Sequence, residues 1–188
     1  MTNTTHPTDS TDLTETANTG LRPASLEFRQ ARPADAAWLT ELALRSKAHW
    51  GYDSEFVEDC RVALTIDAAE IERAPYFTLL AEGRPVGFYG LTILATAIEL
   101  SFLFVEPDSI GQGHGRRLFD HAVKSARELG GRHLLIESDP NAEGFYLAMG
   151  AERIGELPSP VRREASLPLY RYELREVAAS KIVLDRES

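Results

Sequence analysis

Apolar and polar positions alternate along this chain in short stretches, separated by longer ones with a helical repeat. Leu26-Glu27-Phe28-Arg29-Gln30 alternates and predicts a strand. Pro33, Ala34 and Asp35 then open a helix, because proline suits the first turn and the acid complements the helix dipole. On it Leu39, Leu42, Ala43 and Ser46 recur at helical spacing until Gly51. A second helix is expected from about Asp53 through Val57, Arg61 and Leu64. Tyr76–Ala81, a turn at Glu82-Gly83-Arg84-Pro85, and a returning strand from Val86 to about Ile93 make a hairpin. Ala97 to Val105 reads as a third strand.

The next helix places Leu118, Phe119, Ala122, Val123, Ala126 and Leu129 on one face, as a helix covering a sheet does, and Gly130-Gly131 ends it. His133–Glu137 is apolar without alternation, the pattern of a buried strand parallel to its predecessor across the helix. A short helix from Ala142 to Met149, a strand Glu152–Glu156 and a last strand Leu167–Leu174 complete the pattern. Residues 1–24 are rich in Thr, Asn, Asp and Ser and are expected to be a disordered tail. A single domain is expected over 25–176, followed by a charged tail at 177–188.

Composition narrows the classes. Hydrophobic content of 43% and charged content of 26% are those of a soluble globular protein. The net charge of −9, without a Lys/Arg cluster, argues against nucleic acid and is compatible with a cationic substrate such as an amine. No apolar run approaches the ~18 residues that cross a bilayer, and no signal peptide opens the chain, so no membrane association and a cytoplasmic location are expected. Cys60 is the only cysteine, which excludes an intrachain disulfide framework and a thiolate metal cluster; it reads as core filler rather than a nucleophile. No His, Asp and Glu cluster has metal spacing, so no metal is expected.

The most specific feature is Gly111-Gln112-Gly113-His114-Gly115-Arg116-Arg117, which follows the apolar run Leu100–Val105. A glycine loop that opens a helix presents backbone N–H groups as a polarised cup for a diphosphate. A Walker-type triphosphate site needs Gly-Lys-Ser/Thr, but Arg116 and Arg117 follow Gly115. A dinucleotide site would use Glu137 as its ribose acid. Against it stand the Gly-x-Gly-x-Gly spacing, the five residues Glu106 to Ile110 between strand and first glycine, and too little chain beyond for a doubly wound sheet.

Every element is accommodated by a third pattern. Val105-Glu106-Pro107, the glycine loop through Leu118, and Ala142-Glu143-Gly144-Phe145-Tyr146-Leu147-Ala148-Met149-Gly150-Ala151 together resemble the GNAT (GCN5-related N-acetyltransferase) family over residues 26 to 175. Two positions depart from it. Ile110 stands where the family usually has Gln or Arg, leaving the phosphate to backbone donors, and Asp139 stands where it often has Asn, with Asn141 nearby.

The resemblance implies a mixed α/β domain around a largely antiparallel, centrally splayed sheet of about six or seven strands. It implies transfer of an acyl group, most often acetyl from acetyl-CoA, to a primary amine by direct attack in a ternary complex. The diphosphate would be held by the amides of Gln112, Gly113, His114, Gly115 and Arg116. Arg116 or Arg117 would add charge, although a solvated helix face explains both arginines as well. Backbone groups of Phe104 and Val105 would bind the pantetheine arm and polarise the thioester, with Asn141 alongside.

Tyr146 matches the family's general acid, a role that competes with core packing beside Phe145. Glu99, on the same strand face as Ser101, Leu103 and Val105, is the candidate base or water-relay anchor, or else an exposed strand residue. His49, Trp50 and Tyr52 would line the acceptor pocket, unless Trp50 merely packs the helix end on the sheet. The acceptor is a small-molecule or peptide amine. An exposed final strand, Leu167–Leu174, offers a route to a homodimer. A catalytically silent CoA-binding regulator is the alternative function.

Overall fold

The computed structural model describes residues 25–162 and 164–174. The segments expected to be tails, 1–24 and 177–188, lie outside those residues. In chain order come β1 (Leu26–Gln30), a 3-10 turn at Pro33–Asp35, and α1 (Ala36–Ala48). Three short helices follow: α2 (Ser54–Asp59), α3 (Arg61–Leu64) and α4 (Ala68–Arg73). The hairpin β2 (Tyr76–Ala81) and β3 (Arg84–Ile93) leads into β4 (Ile98–Val105), α5 (His114–Glu128) and β5 (His133–Glu137). The fold closes with α6 (Glu143–Ala148), β6 (Glu152–Pro158) and β7 (Ser166–Glu173).

The seven strands form one mixed sheet in the order β1-β2-β3-β4-β5-β7-β6. Neighbours are antiparallel except β4 and β5, the pair joined by the α5 crossover. Those two strands pair only at Ile98↔Leu134 and Glu99↔Leu135. Past Glu99 they diverge, which opens a V at the centre of the sheet.

Each face carries its own core. Leu118, Phe119, Ala122 and Ala126 of α5 pack on Tyr89, Leu91, Leu134 and Ile136, together with Tyr146 of α6. On the opposite face Leu39, Leu42 and Ala43 of α1 pack on Tyr76, Phe88 and Phe102, with Ile66 from the loop between α3 and α4 and Ile71 of α4. Burying an aliphatic or aromatic side chain of this kind stabilises a fold by about 1.5–3 kcal/mol.

Three expectations need correction. The second helix is two pieces, α2 and α3, that meet at Cys60, and α4 follows where no element was foreseen. Asp67 caps α4 by accepting from the Glu70 amide at 2.7 Å, so the Asp67-Ala68-Ala69-Glu70 run was its signal. The last strand is not exposed, because β7 lies between β5 and β6 and has partners on both edges. The free edge on that side belongs to β6, which removes β7 as a route to a dimer.

Candidate active site

The V between β4 and β5 is the inner part of a cleft of about 550 Å³. Leu103, Phe104 and Val105 of β4 line one wall, and Glu137, Ser138, Asp139 and Asn141 line the other. The cleft runs from the glycine loop, where Gly111, Gly113, Gly115 and Arg116 line it, to Ser46 and Trp50 at the end of α1.

The glycines serve two different needs. Gly111 and Gly113 have φ of +82° and +81°, the left-handed region in which a side chain is strained, and a Cβ on either would meet open space. Gly113 is the N-cap of α5, so the backbone there is bare, exposed and at the positive end of a helix dipole. Gly115 is inside the helix, and a Cβ on it would approach Cε2 of Phe145 to 3.3 Å. The Gln112 side chain staples the loop by donating to the Asp108 carbonyl at 2.9 Å. Bare backbone at a helix N-terminus has the polarity to hold a diphosphate.

His114 is buried and does not line the cleft; its Nδ1 finds no hydrogen-bond partner among the described residues. Burial, then the nearby Arg117, holds its imidazole below the usual range. Arg116 and Arg117 are both exposed, and of the two only Arg116 lines the cleft.

Tyr146 combines core packing with access to the cleft. It is 6% exposed and packed against Phe145, Phe119 and Tyr170, yet it lines the cleft. Burial pushes its phenol pKa up, so it stays protonated at neutral pH and can act as a donor.

Glu99 does not sit where simple alternation puts it. The β3–β4 register runs from Gly90↔Phe102 to Leu91↔Leu100, leaving Ser101 as a bulge residue. The bulge swaps the two faces along the strand. Ile98 and Leu100 face α5, whereas Phe102 and Phe104 face α1. Glu99, opposite in the pleat to Ile98 and Leu100, therefore stands on the α1 side, away from the face of Leu103 and Val105. Ser101 keeps it company, bonded to Thr92 Oγ1 at 2.7 Å. Glu99 is half-buried and outside the cleft lining, and burial, then the charge of Glu137, pushes its carboxyl pKa up. Sequence reasoning gave Glu137 no role in this site, although it is both cleft-lining and coupled to Glu99.

The three acceptor candidates separate. Trp50 lines the cleft, His49 is exposed with its ring edge-on to Trp50 at 5.7 Å, and Tyr52 turns away into a polar network. The centre of that network is Asp139. Its carboxylate accepts from Lys47 Nζ, from Tyr52 at 3.0 Å, and from the backbone and side-chain nitrogens of Asn141 at 2.8 and 3.0 Å. Burial works to raise the Asp139 pKa, but the Lys47 ammonium and the Asn141 amide outweigh it and hold the carboxyl below its ordinary value. Burial and the same carboxylate push the Tyr52 phenol up to about 12.

Asp139 accepts only, so the Asn141 carboxamide must turn its NH₂ toward it and keep Oδ1 as an acceptor. Cys60 is buried, and burial pushes its thiol up, as suits a packing residue. Among the described residues, no His, Cys, Asp and Glu group could hold a metal ion. Nor is any helix there long and apolar enough to cross a membrane.

A family model described as the acetyltransferase (GNAT) family matches residues 40–151. A peptidyl-lysine N-acetyltransferase, YjaB, of Salmonella typhimurium is 34% identical over 86 residues, or 45% of this chain and 55% of that protein. The chain thus matches about half the length of this curated relative. The PaiA N-acetyltransferase of Thermoplasma acidophilum, solved in complex with coenzyme A, superposes with a TM-score of 0.67. It is 21% identical, over 79% of this chain and 99% of its own. A GCN5-related N-acetyltransferase structure from Rhodopseudomonas palustris gives 0.68 at 22% identity, over 78% and 94% of the two chains. Identities this low show a shared fold.

Proposed function

The chain belongs to the acetyltransferase (GNAT) family, and from that membership we propose that it transfers an acetyl group from acetyl-CoA to a primary amine. The observation that carries the proposal is the continuity of one cleft. It begins at bare backbone over the N-terminus of α5, passes between two strands that stop pairing after Glu99, and reaches a buried tyrosine.

Acetyl-CoA supplies an activated acyl carbonyl and a thiolate leaving group. The backbone around Gly111 and Gly113, with the Arg116 guanidinium, binds the diphosphate. The backbone of Phe104 and Val105 and the Asn141 carboxamide orient the pantetheine arm, with Asn141 Oδ1 accepting from an amide N–H. This assigns to Asn141 a contact from which Asp139 is withdrawn, its carboxylate oxygens being engaged by Lys47, Tyr52 and Asn141.

The amine enters from the Ser46 and Trp50 end. An alkylamine is mostly protonated at neutral pH and must lose a proton before it attacks. Glu99, on that side of the sheet and with its pKa raised, takes the proton through water near Ser101, which lines the cleft. Tyr146 donates to the departing sulfur. The acceptor is a small amine or a lysine side chain, as the name of the Salmonella relative suggests.

Titration calorimetry with acetyl-CoA, run beside thiol release over a panel of amines and lysine peptides, tests this. Binding with amine-dependent release is the expected result. Binding without release on any amine would make the chain a coenzyme A-sensing regulator, and no binding would remove both readings.

A further inference from the structure

The last turn of α1 is fastened to both arms of the V. Arg45 reaches Glu106, the residue after β4, through two contacts, with Nε to Oε2 at 3.3 Å. Two residues on, Lys47 reaches Asp139, two residues beyond β5. One helix turn thus spans the gap that the strands leave when they stop pairing. The two ties differ in burial. Arg45 and Glu106 side chains are 46% and 23% exposed, whereas Lys47 and Asp139 are 14% and 15% exposed.

The Lys47 ammonium is also enclosed by aromatic rings, 4.7 Å from the Tyr52 centroid and 5.4 Å from that of Phe56. Its counter-ion is the same carboxylate that orders Asn141 on the cofactor wall. Tyr52 closes the circuit, because its hydroxyl donates to Asp139 and accepts from Asn141 Nδ2 at 3.0 Å.

We propose that the Lys47–Asp139 pair, seconded by Arg45–Glu106, is a strut that sets the separation of the ends of β4 and β5, and that Lys47 is a positioning residue for the coenzyme A arm. The inference presupposes the acyl-CoA reading above. Lys47 does not line the cleft, although its neighbour Ser46 does. Any effect it has on coenzyme A must therefore travel through Asp139 to Asn141 and the end of β5. A buried ion pair resists the loss of one partner far more than replacement of both. That asymmetry separates positioning from simple stability.

The test is calorimetric binding of coenzyme A, with thermal melting measured in parallel, for wild type, Lys47→Met, Lys47→Met/Asp139→Leu and Arg45→Gln. Lys47→Met is expected to weaken coenzyme A about tenfold and lower the melting temperature. The double variant, with no buried charge left unpaired, is expected to recover the melting temperature while still binding about tenfold more weakly. Arg45→Gln, at the exposed tie, is expected to weaken binding about two- to threefold. A folded double variant that binds coenzyme A as tightly as wild type overturns the strut, whatever Lys47→Met does alone. A wild type that binds no coenzyme A removes the acyl-CoA reading itself, and the strut with it.

Discussion

Gly115 lies against the ring of Phe145, so that a Cβ on the glycine would stand 3.3 Å from Cε2. The ring packs edge-on against Phe119 at 6.2 Å and Tyr146 at 5.0 Å, so it can yield only toward the cleft that it lines. Through this contact the helix that opens at the glycine loop is linked to the helix that carries the candidate acid.

Gly115→Ala is therefore expected to disturb both ends of the cleft. Alanine is the better helix former by about 1 kcal/mol, which offsets the crowding in overall stability. Coenzyme A binding by calorimetry should weaken about tenfold, or ~1.4 kcal/mol, with the melting temperature little changed. Binding at wild-type affinity would show that the ring moves aside without cost.

Tyr146→Phe removes a hydroxyl and keeps the packing. Turnover should fall about 10²-fold, while the dissociation constant for coenzyme A stays within about twofold. Unchanged turnover would take this phenol out of the reaction and leave it as a core residue.

The pairing of Glu99 with Glu137 predicts a shape for the pH profile. A base must be ionised, so kcat/KM should fall as pH drops through the Glu99 pKa. That limb should lie above the ordinary glutamate value of about 4.3, because burial and the neighbouring charge both favour the protonated form. Glu99→Gln should abolish the limb and lower kcat about 10²-fold. Glu137→Gln removes one of the two causes and should move the limb to lower pH. A limb that ignores both substitutions belongs to another group.

Asp139 should contribute to acid sensitivity. Its carboxyl titrates below the ordinary value in the folded state, so the stabilisation it gives is present above the unfolded pKa of about 3.9. It is lost as pH falls through the lower folded value. Breaking one side of a buried pair costs about 3–5 kcal/mol. Melting temperature followed from pH 6 down to about pH 2.5 should decline less steeply in Lys47→Met/Asp139→Leu than in wild type. Parallel curves would assign the acid loss to other carboxylates.

How much of this was legible in the sequence follows from the range of each interaction. β1, β2 and β5 could be read to the residue, since their apolar patterns are local and end at clear breaks. The glycine loop and the Phe145-Tyr146 helix were equally plain as motifs. The bulge at Ser101 was not, because Leu100-Ser101-Phe102-Leu103 alternates acceptably in either register and only the partner strand decides. Glu99 was consequently assigned to the wrong face. Tyr52 stood in the acceptor pocket on sequence because nothing local shows that its partner is Asp139, 87 residues away. Asp139 itself was visible as a departure, but its reason, Lys47 at a separation of 92 residues, was not.

A sheet held across its midline by two residue pairs is close to two smaller sheets lying side by side. Whatever molecule fills the gap then acts as mortar as well as reactant. Bound at a hundred times its dissociation constant, such a ligand adds about 2.7 kcal/mol to the folded state. The heat resistance of this protein would accordingly track how well supplied its surroundings are with that molecule.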